Sequence, residues 1–474
     1  MGLLTPEDIK LAQSFPRDFT WGSATASYQV EGCLDQDGRA ESIWDTYAHV
    51  LGNIADGSDG SVACEQYVRY EDDIKLMKQV DLDAYRMSIA WPRIFTELNG
   101  KPNQKAIDHY KRVLDTLRAA DIKPVVTLYY WDLPQYLQDL GGWVNRDTAS
   151  RFGDYAAVVA GALGDRVDIW TTLNEPWCSA YLGYAQGRHA PGIRDDAQAL
   201  AAVHHLNLAH GLGVQAVRSE LGDSAKTSVT LNLQVVRAAS DKSEDLAAAQ
   251  QTRRIGNEVW LGPMLEGKYD PQIFEDTREI SKWEFIREGD LEKIHQPLNS
   301  LGINYYATQY VRAAVPENQS PDSNQREDPI VGGKNIEILP PSGPLTAMGW
   351  NQEPQGLTDI LLEMSQRYPD LDLVVTENGS AWDDEVVEEN GERAVHDPQR
   401  VHYLSQHLRA CHDAIEHGAK LTGYFAWSLL DNYEWALGYT KRFGIFYVDY
   451  PTQKRIWKDT ARWYQQFIKQ WKSR

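Results

Sequence analysis

Short apolar, strand-like runs recur along the chain, and stretches with helical spacing separate them. Eight runs read as strands: 19–22, 84–89, 124–129, 167–173, 228–232, 301–304, 373–376 and 422–427. Between them, apolar residues return at steps of three and four, as in Tyr67, Tyr70, Ile74 and Met77, or Ile107, Tyr110, Leu114 and Leu117. One helix has both ends marked: Asp397 suits the N-cap, Pro398 the first turn, and Gly418 the position just past the C-terminus. Strands and helices in this alternation predict a parallel closed sheet, a (β/α)8 TIM barrel with extended βα loops. An open, doubly wound sheet is the alternative. No linker and no short-period repeat breaks the pattern, so residues 1–474 read as a single domain. The polar stretch 315–334 reads as a long loop. It follows the sixth strand, on a βα face, where it either lines the site or moves.

Composition narrows the function classes. The net charge of −21 argues against a nucleic-acid partner, which needs a basic footprint, and against anionic membranes. Cys33, Cys64, Cys178 and Cys411 form no C-x-x-C pair, so neither a zinc site nor a thioredoxin-like centre is expected. The N-terminal segment MGLLTPEDIK has neither a basic nor an apolar signal region. No run approaches the roughly 18 apolar residues of a membrane span. These features predict a cytoplasmic protein with reduced thiols. Trp and Tyr are plentiful, at 16 and 24. Most should pack in the core, but flat rings also stack on the apolar faces of sugars.

Some formal signals carry no function. Gly211-Leu212-Gly213-Val214-Gln215-Ala216 fits a dinucleotide fingerprint, but it follows a helical pattern and not a strand. His402, His407, His412 and His417 recur every five residues. On a helix each such step turns by roughly 140°, so they share no face. Asn318-Gln319-Ser320 is a glycosylation sequon without consequence in the cytosol. No cofactor or metal is expected.

Two segments carry candidate chemistry: Thr171-Thr172-Leu173-Asn174-Glu175-Pro176 and Val374-Val375-Thr376-Glu377-Asn378-Gly379. Each is an apolar strand that ends in a carboxylate beside an amide, followed by a turn residue. In a barrel both carboxylates fall at the C-terminal mouth, where active sites form. Glycoside hydrolysis needs two carboxyl groups flanking the scissile bond. Either Glu alone would read as a charge at a helix N-terminus. The pair favours catalysis.

The chain also resembles glycoside hydrolase family 1, the β-glucosidase family, from Phe19 to about Trp463. The resemblance rests on ordered landmarks. They include Trp21 to Gly32 (WGSATASYQVEG), Tyr85 to Arg93 (YRMSIAWPR), Trp131-Asp132-Leu133-Pro134, Asn304-Tyr305-Tyr306, Thr376-Glu377-Asn378-Gly379, and Trp427 to Trp435 (WSLLDNYEW). It implies a retaining β-glycosidase with Glu175 as general acid/base and Glu377 as nucleophile. A nucleophile must be ionised, and a nearby cation favours that form; Arg86 and the Tyr306 hydroxyl are the implied neighbours. Burial and an ionised Glu377 should keep Glu175 protonated. Retention further requires the two carboxyl groups to stand about 5–5.5 Å apart.

By the same resemblance Asn174 holds the sugar 2-hydroxyl. Gln29, Glu434 and Trp435 bind outer hydroxyls, Trp131 belongs to the substrate-binding set, Trp427 lies under the ring, and Phe443 lies near the 6-hydroxymethyl. Trp177 and Trp350 are placed on the aglycone side. Tyr130 departs from the pattern: the family has His before Trp131. A phenol there either crowds the sugar or reaches one hydroxyl, which puts glycone preference in question but not the reaction class. The expected partners are small β-glycosides or oligosaccharides. The alternatives are a different or broader glycone preference (galactoside, fucoside), transglycosylation, a 6-phospho-β-glycosidase, which typically has Ser where Glu434 stands, and a noncatalytic sugar-binding barrel.

Overall fold

Eight segments are buried along nearly their whole length, which requires cover on both faces. They are β1 (Thr20–Ala24), β2 (Ala84–Ser88), β3 (Lys123–Tyr129), β4 (Ile169–Asn174), β5 (Thr227–Leu231), β6 (Ser300–Asn304), β7 (Asp372–Asn378) and β8 (Leu421–Trp427). In the computed structural model, which describes residues 3–314, 330–389 and 391–474, they pair in parallel in chain order, and β8 returns to β1. Closure runs in register from Thr20 opposite Gly423 to Ala24 opposite Trp427. All eight expected strands are present, and the open-sheet alternative is excluded.

The helices cover the barrel as their spacing predicts. In Gln104–Ala119 the buried set includes Ile107, Tyr110, Leu114 and Leu117. In Gln66–Val80, Tyr67, Ile74 and Met77 are buried, while Tyr70 is half-buried. The helix Pro398–Glu416 begins and ends where Asp397, Pro398 and Gly418 mark it, and Gly418 takes φ +96°. Asp397, however, does not cap it through its side chain. Its carboxylate accepts from the backbone N and Oγ1 of Thr460 and pairs with Arg400. A buried carboxylate serves its strongest partners, here Thr460 across the fold and the Arg400 guanidinium within the same helix.

Gly211 lies inside the helix Asp196–Leu221. A Cβ there would stand 1.9 Å from the Lys293 carbonyl oxygen, so this glycine permits close packing and opens no dinucleotide loop. Beside Phe19 at the N-terminal end of the barrel, Phe15 and Phe467 pack on Trp21 at 4.9 and 5.3 Å between ring centroids.

Three short sheets escape the sequence reading. Val235–Ala238, Thr308–Ala313 and Ile336–Ile338 form one. Val386–Glu389 pairs with Glu392–Val395, and Phe446–Asp449 with Lys454–Trp457. They are short and mostly half-buried, so alternation is weak in them. Residues 315–329 of the polar stretch lie outside the described residues. The four cysteines are free, and all but Cys33 are buried. Among the described residues, no helix is long and apolar enough to cross a membrane.

Candidate active site

The strand register slips at two places that bear on the site. Between β4 and β5 it shifts between Thr171 and Asn174. Between β7 and β6 it shifts between Val375 and Glu377, which leaves Glu377 opposite Asn304. Such irregularities re-aim side chains at barrel rims. Both fall where the candidate carboxylates leave the sheet.

At the end of β4 the chain turns sharply, and Glu175 takes φ +44°. A non-glycine residue there costs on the order of 1–3 kcal/mol, and such strain gathers at functional sites. Although part of Glu175 reaches the mouth, its carboxyl is enclosed by protein groups. Its Oε1 accepts from Asn304 Nδ2 at 2.8 Å, and its Oε2 from the Cys178 thiol at 3.2 Å. Burial and then the charge of Glu377 push Glu175 up to about 7, against the opposing pull of Asn304, Cys178 and Arg86.

At the end of β7 the side chain meets other company. Arg86, fully buried on β2, donates from Nη1 to Glu377 Oε1 at 2.7 Å. The Tyr306 hydroxyl donates to Oε2 at 2.8 Å. The Tyr130 hydroxyl also donates to Oε1. Asn378 pins the strand end: its Nδ2 donates to the Tyr305 carbonyl at 2.7 Å, and its Oδ1 accepts from Tyr424 at 2.8 Å. Gly379 completes the turn because a Cβ would fall 1.8 Å from the Trp427 carbonyl oxygen. The end of β7 therefore rests directly on the end of β8.

One hydrogen-bonded chain joins the two carboxyls. Arg86 Nη2 donates to Asn174 Oδ1 at 2.6 Å, and Asn304 Nδ2 reaches the same oxygen at 3.2 Å. Thr376 Oγ1 fixes Asn304 Oδ1 at 2.7 Å. The expected set of Glu175, Glu377, Arg86, Asn174 and Tyr306 is thus brought together.

The loop after β8 supplies the outer wall. Buried Asp431 anchors it through Arg442 and Lys458, each at 2.7 Å. Glu434 is pushed up to about 8 by burial and by Glu377 and Glu175, and its Oε2 has no hydrogen-bond partner among the described residues. Gln29 donates from Nε2 to Asn432 Oδ1 and the Tyr433 carbonyl, so its orientation is fixed and its buried Oε1 is left unpartnered among the described residues. Open acceptors of this kind suit a ligand rich in hydroxyls. Trp427 and Trp435 flank the Tyr130 ring. Phe443 and Trp350 pack on Tyr306 at 6.0 and 5.3 Å.

Trp131 packs on Trp435 at 5.1 Å between ring centroids, and it and Trp177 have further partners. Trp131 donates from Nε1 to the Ala190 carbonyl at 3.1 Å and stacks on His189. Trp177 packs edge-on against Tyr181. Three residues went unassigned in the sequence reading. Asn304 and Cys178 touch Glu175, and Trp44 backs Trp435 at 4.6 Å. An amide at the end of β6 was a usable signal for Asn304. Nothing local marked Cys178 or Trp44.

Relatives agree with this geometry. Residues 11–473 match the family described as Glycosyl hydrolase family 1. A bifunctional beta-D-glucosidase/beta-D-fucosidase from Bifidobacterium breve is 48% identical, over 96% of this chain and 98% of its own. Beta-glucosidase A from Acetivibrio thermocellus is 43% identical over the same shares. Among solved structures, a psychrophilic beta-glucosidase from Micrococcus antarcticus superposes with a TM-score of 0.91 at 41% identity, covering 98% of this chain and 99% of its own. The family 1 beta-glucosidase from Thermotoga maritima in complex with isofagomine lactam gives 0.88 at 42%, covering 96% and 98%. A closed eight-stranded barrel, two carboxyls in one hydrogen-bonded network at its mouth, and matches along nearly its whole length establish that this chain belongs to glycosyl hydrolase family 1 and is a glycoside hydrolase.

Proposed function

We propose that this enzyme is a retaining β-glucosidase that releases terminal non-reducing β-D-glucosyl residues, with Glu377 as nucleophile and Glu175 as acid/base. One observation carries the assignment. Glu377 accepts hydrogen bonds from a guanidinium and two phenols, whereas Glu175 meets only an amide and a thiol and is pushed up to about 7. The second setting retains a proton, as an acid must, and the first holds both oxygens of an attacking group in place.

In the first step a Glu377 oxygen bonds to the anomeric carbon, the glycosidic C–O bond breaks, and the Glu175 proton passes to the departing oxygen. The product is a neutral glycosyl ester on Glu377. Its formation removes one of the two influences that hold Glu175 up. Glu175 can then take a proton from water while the water oxygen attacks the anomeric carbon and Glu377 leaves as carboxylate. Two inversions give retention. We assign Asn174, whose Oδ1 is held by Arg86 and Asn304, to the sugar 2-hydroxyl.

A β-glucoside is the favoured substrate because Gln29 and Glu434 offer open polar atoms beside the Trp427 and Trp435 rings. A 6-phospho sugar is disfavoured: among the described residues, no cation acts on Glu434, whose carboxylate would repel a phosphate. A broader glycone preference that includes β-D-fucosides is the second reading, favoured by Tyr130 and by the name of the Bifidobacterium relative. Rates on nitrophenyl β-glucoside, β-galactoside, β-fucoside, β-xyloside, β-mannoside and 6-phospho-β-glucoside decide between these readings. NMR of the first-formed sugar should show the β-anomer, and a first-formed α-anomer would refute double displacement. The four free thiols fit a reducing cytoplasm, which cell fractionation can test.

A further inference from the structure

Tyr130 directly follows β3 and is 4% exposed. Its ring stacks with Trp427, at 6.0 Å and 11° between planes, and with Trp435, at 6.3 Å and 18°. The Arg86 guanidinium stands 5.5 Å from its centroid. Two indoles and a cation thus fix the ring, and the ring aims the hydroxyl. That hydroxyl donates to Glu377 Oε1, the oxygen that Arg86 also holds. Burial and Glu377 push the phenol well up, so it keeps its proton and acts as donor.

We propose that Tyr130 is a positioning residue for Glu377: its phenol holds Oε1 together with Arg86 and is thereby withheld from the glycone. This rests on Glu377 being the nucleophile. The charged and titratable groups that face Glu377 are Arg86 from β2, Tyr130 after β3, Glu175 and Cys178 after β4, Tyr306 after β6 and Glu434 after β8. Arg86 and Tyr130 hold Oε1, and Tyr306 holds Oε2. Removing the Tyr130 hydroxyl leaves Oε1 with one donor, so its attack on the anomeric carbon should slow.

The test is Tyr130→Phe, which removes one oxygen and keeps the ring against its indoles. Inactivation by a deoxyfluoroglucosyl fluoride, which stops after the first step, gives a limiting rate constant and a dissociation constant for each protein. The rate constant should fall about tenfold, the scale of one hydrogen bond to a charged group. The dissociation constant should change little. Mass spectrometry should find the label on Glu377 in both proteins. A label on Glu377 with an unchanged rate constant and a raised dissociation constant would make Tyr130 a glycone contact and overturn the proposal alone. A label on another residue would overturn the reading beneath it.

Discussion

β4 ends in Asn174-Glu175-Pro176 and β7 in Glu377-Asn378-Gly379, so the two strand ends carry the same pair of side chains in reverse order. Their surroundings differ in kind. The β7 end collects a guanidinium and two phenols from β2, β3 and β6; the β4 end collects one amide and one thiol. Identical carboxyls can therefore hold opposite roles, because the role comes from the donors that other strands deliver. Arg86 and Asn304 both touch Asn174, so the two environments are built as one network.

Exchange of roles is the hardest test of this contrast. Glu377→Ala should lose on the order of 10⁴–10⁶ in kcat, the scale of losing a nucleophile. Azide should restore turnover and yield the α-glucosyl azide. Glu175→Ala should lose roughly 10²–10⁴ on alkyl glucosides, the range of general acid catalysis. On dinitrophenyl glucoside it should lose little in the first step. Should Glu175→Ala give the α-azide and Glu377→Ala keep the activated substrate, the assignment is reversed.

The pH profile sharpens the contrast. With Glu175 raised to about 7, the acid form is lost as pH rises, so kcat/KM on an alkyl glucoside should fall above about pH 7. Asn304 draws Glu175 down by bonding its charged form. Asn304→Ala should therefore move the basic limb up, by about half to one pH unit. Cys178→Ala should move it in the same direction by a few tenths at most, about what a weak thiol donor supplies. A downward shift in either variant would show that these groups hold the protonated form of Glu175 instead.

The ends of the strands and helices were legible because their causes are local. A buried parallel strand must be apolar throughout, and a helix must begin and end with residues that tolerate its unpaired backbone. Asp397, Pro398 and Gly418 are read that way. The carboxylates at the ends of β4 and β7 were legible for a related reason: closing a barrel in chain order brings every C-terminal strand end to one mouth.

Which partner each side chain takes was decided only in the tertiary structure. The Tyr130 hydroxyl meets Glu377 across 247 residues of chain, and Asn304 meets Glu175 across 129. Trp131 hydrogen-bonds Ala190, and the Asp397 carboxylate accepts from the backbone of Thr460 instead of capping its own helix. Sequence periodicity reports which face of an element is buried. It carries no record of what lies against that face, since hydrogen bonds and ring contacts depend on ångström-scale placement of elements far apart in the chain. The raised pKa of Glu175 follows from such contacts, so the sequence determined the barrel and the pair, and packing decided that Glu175 keeps its proton.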